Sequence, residues 1–296
     1  MLELNKLTTE ARNPQTAGLD TMTPLEIATV MNREDEQVVA GVGRVLPQVA
    51  AAIAWVQEAF EAGGKLVYMG AGTSGRLGVL DSVECPPTFG VPPEMVVGLI
   101  AGGERAFVRA VEGAEDSESL ALEELKALPL TGKDVVIGIA ASGRTPYVIG
   151  GLRYARSLGC KTVAVACNEG SLVGEAADLA IEPVVGPEVL TGSTRLKAGT
   201  AQKMILNMIS TGAMVGIGKV YQNLMVDVLQ TNEKLRVRAR NIVTEATGCT
   251  EERAASLLEA AGGNAKTAIV MELLDCTAGE AEQKLKCAHG HIRKCL

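Results

Sequence analysis

Histidine is nearly missing from this chain: among 296 residues only His289 and His291 carry an imidazole. That excludes a Ser-His-Asp or Cys-His nucleophilic site from the main body, argues against a His-rich catalytic zinc site unless the two terminal histidines fold back, and leaves acid–base chemistry to carboxylates, lysine, tyrosine or cysteine. Positive charge is also short, with 28 Lys and Arg against 35 Asp and Glu and a net charge of −7, so no basic face is offered to nucleic acid or to an anionic membrane. No segment approaches the ~20 uninterrupted apolar residues of a membrane span. Met1-Leu-Glu-Leu-Asn5 lacks the charged and apolar regions of a signal peptide, which sets the expectation of a cytoplasmic protein. The cysteines at 85, 160, 167, 249, 276, 287 and 295 are odd in number and irregular in spacing. They suggest neither a CxxC metal site nor a secreted disulfide framework, and read as reduced, mostly buried thiols.

What is present is enough apolar residue, 47%, for a sizeable core in one large domain or two smaller ones. The stretch from Lys65 to Pro87 organises the rest. Leu66 to Met69 is apolar and suits a buried strand, Gly70, Gly72 and Gly75 allow a tight turn, and Arg76 to Glu84 reads as a helix that Pro86-Pro87 must end. A helix N-terminus behind a glycine turn presents free N–H groups and positive dipole to an anion, and Thr73 and Ser74 add hydroxyls at the same spot. Glu84 stands one helical turn beyond Asp81, where a carboxylate can be held at a fixed place.

Before this stretch, Leu7 to Met22 is polar and turn-rich and is expected to wrap over other elements. Thr23, Pro24 and Glu26 mark a capped helix start, and a second helix is expected from about Val38 to Glu61, broken or kinked at Pro47. After it come a strand at Met95 to Ala101, an acidic passage entering a helix up to about Leu128, and a variant of the first motif. Asp134 to Ala140 is a buried strand and Ala141-Ser-Gly-Arg-Thr-Pro146 a second small polar turn feeding a helix to about Leu158. Further strands are expected at Lys161 to Cys167 and Ala180 to Val185. This alternation implies an α/β fold with a parallel, helix-covered sheet whose ligands bind at the carboxyl ends of the strands. A very apolar helix through Gln202, Met204 and Met208 to about Gly216 reads as core or subunit interface. Helix is expected to continue from about Leu224 to Thr247, and Thr250 opens a unit of two or three short helices.

Gly70-Ala-Gly-Thr-Ser-Gly75 also matches GxGxxG, but a dinucleotide site wants an acidic residue ~20 positions on, and the nearest, Glu104, lies beyond a Gly-Gly. The second loop discriminates better: Ser142 and Thr145 would place two hydroxyl-bearing loops on one sheet edge, which suits one phosphomonoester. The plainer alternative is that these hydroxyls only cap helices.

The two loops are similar to the phosphate loops of sugar isomerase (SIS) domains, which bind phosphosugars. With Leu7 to Met22, Glu84-Cys-Pro-Pro-Thr88, Ala101-Gly-Gly103, Glu112-Gly-Ala-Glu-Asp116 and Gly192-Ser-Thr-Arg-Leu-Lys-Ala-Gly-Thr-Ala-Gln-Lys203, nearly the whole chain resembles the N-acetylmuramic acid 6-phosphate etherase family. The resemblance implies a flavodoxin-like SIS domain at 57–220 behind N-terminal helices at 1–56, a connecting helix at 221–248 and a small ubiquitin-associated-like unit at 249–296. It implies a homodimer and a lyase that needs no cofactor and removes D-lactate from a phosphosugar. Glu84 and Glu115 would be its catalytic carboxylates, with Glu112 and Asp116 as rivals for the second role. Gly72, Thr73, Ser74, Ser142, Gly143 and Thr145 would hold the phosphate, and Arg195 and Lys197 would steer the lactyl carboxylate or the phosphate. Cys85, with no histidine near it in sequence, reads as a packed thiol. Glucokinase regulatory protein carries related SIS signatures, so a phosphosugar-sensing regulator without catalysis is the alternative function.

Overall fold

The structure, a computed structural model, describes residues 7–109, 111–228 and 233–296. The reading made on Met1–Asn5 lies outside them, as do residues 229–232 of the helix expected over 224–247. Among the described residues no single helix is long and apolar enough to cross a membrane.

Three 3-10 turns, Thr8–Glu10, Pro14–Thr16 and Leu19–Thr21, open the chain. α1 (Pro24–Arg44) then starts with a full capping box: Glu26 N–H donates to Thr23 Oγ1 at 3.4 Å and Thr23 N–H donates to the Glu26 carboxylate at 2.7 Å. It runs unbroken past Val38 to Arg44. The interruption falls at Val45, and Pro47 takes a first-turn position in α2 (Leu46–Glu61), where its missing N–H is no loss. The two helices bend by 61°.

Strands β1 (Leu66–Gly70), β2 (Val96–Ile100), β3 (Val135–Ile139), β4 (Lys161–Val165) and β5 (Leu179–Ile181) pair in parallel in the order β2-β1-β3-β4-β5. They alternate with α3 (Gly72–Phe89), α4 (Glu104–Val108), α5 (Glu118–Lys126), α6 (Pro146–Ser157) and α7 (Leu172–Ala176), and α8 (Lys197–Gly216) follows the sheet. This is the flavodoxin-like order, whose switch point lies between β1 and β3. Gly70 stands level with Ile139, so the chain leaves these two strands side by side on one edge.

Successive strand residues serve opposite faces. Val67, Met69 and Val136 pack with Leu125 of α5 and with Tyr147, Val148 and Leu152 of α6. On the other face the Tyr68 hydroxyl donates to Asp81 of α3 at 2.8 Å, and Asp81 also accepts from Asn207 at 2.6 Å and Ser210 at 3.2 Å of α8. Gly78 permits this approach, since a Cβ there would lie 2.8 Å from the Tyr68 Cβ.

Residues 7–83 and 94–210 form one compact unit; Glu84–Pro93 with Thr211–Leu296 form a second. The second contains a small hairpin of β6 (Val220–Tyr221) and β7 (Leu224–Met225), then α9 (Glu233–Thr247), α10 (Glu251–Ala260), α11 (Ala265–Leu274) and α12 (Ala278–Cys287), around a core that includes Ile242, Val243, Leu257, Ile269 and Val270. Thr250, Asn264 and Thr277 cap the last three helices.

Three expectations are corrected. α3 does not stop before Pro86-Pro87 but runs through both to Phe89: proline's φ fits a helix, and burial of Cys85 and Phe89 holds the turn although the rings forgo the bonds to the Ser82 and Val83 carbonyls. Residues 224–228 are not helix, because a two-residue turn at Gln222-Asn223, with Gln222 at φ 55°, folds Leu224 back on Tyr221. Of the seven thiols only Cys85, Cys160 and Cys167 are buried. The apolarity of α8 is largely taken up by the core: Ile205, Leu206, Ile209, Ala213 and Met214 are all buried.

Candidate active site

The first glycine turn is built by steric need. Gly70 and Gly75 approach so closely that a Cβ on Gly75 would stand 2.5 Å from the Gly70 carbonyl oxygen, and Gly72 begins α3 at φ +53°. The N–H groups of that first turn face the sheet edge with the positive end of the helix. Ser74 is buried, and its hydroxyl donates to Oε1 of Gln202 at 2.9 Å.

The second turn is equally constrained. Gly143 has φ +74°, and a Cβ there would come within 2.3 Å of the Ser171 Cβ. Thr145 precedes α6 but does not cap it: its hydroxyl donates to Oε1 of Glu115 at 3.0 Å, and the Tyr147 N–H donates to the Glu115 carbonyl at 3.0 Å. Side chain and backbone together fix Glu115 at the start of α6. Glu112, Glu115 and Asp116 are all exposed on this passage, and of the three it is Glu115 that accepts from the Thr145 hydroxyl. With Ser74 and Thr145 directed to other side chains, the helix-capping alternative does not describe these hydroxyls.

Asn168, three residues beyond β4, donates to the carbonyls of Ala141 at 3.4 Å and Ser142 at 3.2 Å and to Thr9 Oγ1 at 2.9 Å. The N-terminal segment is thereby tied to Asn168, which in turn holds the loop that carries Ser142. It also grips the approach to α8: Asn13 donates to Glu34 at 2.7 Å and to the Pro187 carbonyl at 3.3 Å, and Thr16 donates to the Val189 carbonyl at 2.8 Å.

Glu188 accepts the Lys197 and Ala198 N–H groups at 2.9 and 3.0 Å, so a carboxylate caps α8. Burial pushes the Glu188 carboxyl up despite these bonds, and burial with the nearby Glu188 charge pushes the Cys167 thiol up to about 12. Lys197 is 0% exposed and its ammonium lies 2.7 Å from Glu34, so it faces a protein carboxylate and not solvent. Burial alone would raise the Glu34 carboxyl, but hydrogen bonds from Lys197 and Asn13 and the lysine charge lower it on balance. Arg195 is exposed on the loop before α8. Glu84 is exposed on α3, between buried Asp81 and buried Cys85, and belongs to the second compact unit.

Gln202 is the residue that sequence reasoning passed over. It is wholly buried, it receives the Ser74 hydroxyl, and its Nε2 has no hydrogen-bond partner. The signal lay in the quoted stretch 192–203: an amide opening an apolar helix has to be answered by some polar group. Asn168, Glu34 and Glu188 gave no such sign, since their partners lie 9 to 163 positions away.

A parallel sheet of this order, with two hydroxyl-bearing loops flanking its switch point, defines a SIS-domain protein. The SIS domain family matches residues 114–211, and the glucokinase regulatory protein N-terminal SIS domain family matches residues 48–156. Among solved structures, a phosphoheptose isomerase from Francisella tularensis shares the fold at TM-score 0.51 and 17% identity, covering 66% of this chain and 100% of that one. At full length the relatives are closer. N-acetylmuramic acid 6-phosphate etherases of Geobacillus sp. (strain WCH70) and Oenococcus oeni are each 59% identical, over 99% and 100% of this chain and 99% of theirs. The chain belongs to the N-acetylmuramic acid 6-phosphate etherase family.

Proposed function

We propose that this chain cleaves the D-lactyl ether of N-acetylmuramic acid 6-phosphate, releasing N-acetylglucosamine 6-phosphate and D-lactate. Beside family membership, the observation that carries this reading is the bond from Thr145 to Glu115, which ties a carboxylate to a loop suited to phosphate. In the ring-opened sugar the C2 proton is acidified by the C1 aldehyde, and the lactyl ether oxygen leaves from C3. A base removes the C2 proton, the C3–O bond breaks toward lactate, and water then adds to C3 of the unsaturated aldehyde while a proton returns to C2. Two carboxyl groups suffice, one for the C2 proton and one for the departing lactate and the incoming water. We assign them to Glu84 and Glu115.

The phosphate is assigned to Ser142, Gly143 and Thr145 with the first turn of α3 at Gly72, Thr73 and Ser74. Arg195 is free to meet the lactyl carboxylate, while Lys197 acts from behind by holding Glu34. The reaction is placed in the cytoplasm, and the working form is a homodimer. What supports a dimer is not α8 but an apolar rim beside edge strand β2. Leu80 and Val83 of α3 and Phe107 and Val108 of α4 are 49%, 57%, 43% and 80% exposed. Arg76 joins these helices through the Ala106 and Phe107 carbonyls.

The test is incubation with the muramic acid phosphate in deuterium oxide, without added metal or nucleotide. Lactate release with deuterium at C2 of the product is the expected result; product unlabelled at C2 would sink the elimination.

A further inference from the structure

Glu84, proposed above as a catalytic carboxylate, stands where its own helix is weakened. Pro86 and Pro87 lack the N–H groups that would bond the carbonyls of Ser82 and Val83, so the ladder of α3 lapses around Glu84. The segment Glu84–Pro93 is instead part of the second compact unit, where Cys85, Phe89 and Val91 are buried. It turns at Gly90, whose φ is +62° and whose N–H bonds the Pro86 carbonyl at 2.9 Å. Gly90 lies so close to Asp227 that a Cβ on it would stand 2.5 Å from the Asp227 carbonyl oxygen.

Asp227 is itself fixed from two directions. Its Oδ2 accepts from Lys266 of α11 at 2.6 Å and from Lys219, just after α8, at 3.2 Å. Lys266 is 7% exposed, and burial lowers its ammonium's pKa although Asp227 opposes this. Beside this cluster Gly218 meets the backbone of Gly290 at a distance that leaves no room for a Cβ. One carboxylate thus stands between two cations, at the point where the chain after α8, helix α11 and the end of α3 converge. Without its charge the two ammonium groups repel, and the backbone under Gly90 shifts with them.

We infer that Asp227 is a positioning residue for Glu84, and that one task of the C-terminal unit is to hold the helix end that carries this carboxylate. The inference rests on the catalytic reading of Glu84. It is tested in the full-length chain by a cycle of Asp227→Asn, Glu84→Gln and the double variant. The readouts are kcat, KM and calorimetric affinity for N-acetylglucosamine 6-phosphate. Asp227→Asn is expected to lower kcat at least about tenfold while KM and product affinity stay within about threefold. On the Glu84→Gln background it should cost no more than about twofold further, because its effect acts through Glu84. If Asp227→Asn does not fold, Gly90→Ala is read in the same cycle with the same expectation. Unchanged kcat, equal losses of kcat and affinity, or losses that multiply with Glu84→Gln would each overturn the inference. Full activity of Glu84→Gln alone would instead remove the catalytic reading beneath it.

Discussion

On the proposed reading Glu84 and Glu115 divide one reaction, and glutamine at either position separates their roles while keeping side-chain size. Each single variant is expected to lose on the order of 10²-fold or more in lactate release, with binding little changed. Exchange at C2, followed by mass spectrometry in deuterium oxide, assigns the base. If Glu115→Gln retains exchange without lactate release, Glu84 removes the C2 proton and Glu115 serves the leaving group and water; the reverse pattern swaps them. Ser142→Ala removes one neutral donor from a charged ligand and should weaken phosphosugar binding by roughly 1.5–3 kcal/mol. Calorimetry with phosphorylated and unphosphorylated sugar checks it, and an unchanged preference would put the cradle elsewhere.

The turns and helices around the site owe their positions to a few tight contacts. Gly143→Ala combines a left-handed φ, worth about 1–2 kcal/mol, with a Cβ placed 2.3 Å from Ser171. A lower melting temperature together with a raised KM is expected, since the same loop carries Ser142 and Thr145. The buried Glu34–Lys197 pair joins α1 to α8, so Lys197→Met should destabilise by about 3–5 kcal/mol, and replacing both partners with apolar residues should recover much of it. Thermal melts of these two variants against wild type decide this. The pH dependence has a definite sign. Glu34 is lowered from 4.5, so its contribution is fully present above pH 4.5 and is lost as pH falls through its folded value; the stability gap between wild type and Glu34→Gln should narrow only below pH 4.5. Glu188, raised from 4.5, acts oppositely and above that value, gaining stability as pH falls.

The chain has an apolar rim that its own core leaves open, formed by Leu80, Val83, Phe107 and Val108. Exposed apolar groups gathered in one place mark an interaction surface, and we expect a second copy to cover this one. Light scattering of wild type should give twice the 30.8 kDa chain mass. Phe107→Lys should shift the population toward monomer, and a monomeric wild type would refute the dimer.

Legibility in the sequence differs from feature to feature. The strands after 65, 95, 134 and 160 were legible because parallel strands buried on both faces are unbroken apolar runs, and the two loops because only glycine tolerates such turns. The capping box at Thr23 was equally plain. Pro86-Pro87 misled, since a proline pair breaks local hydrogen bonds while packing from elsewhere decides whether the helix goes on. The apolar face of α8 read equally as core or interface, because burial depends on what lies opposite and not on the helix's own composition. Polar partners separated by long stretches of chain were the least legible. Ser74 with Gln202, Thr145 with Glu115, Lys197 with Glu34 and Lys266 with Asp227 are 128, 30, 163 and 39 positions apart. Local pattern thus determined the sheet, its loops and the residue types available for chemistry. Which hydroxyl meets which carboxylate was decided only by the tertiary fold, because a hydrogen bond requires two groups within about 3 Å, and nothing in the local sequence sets that distance.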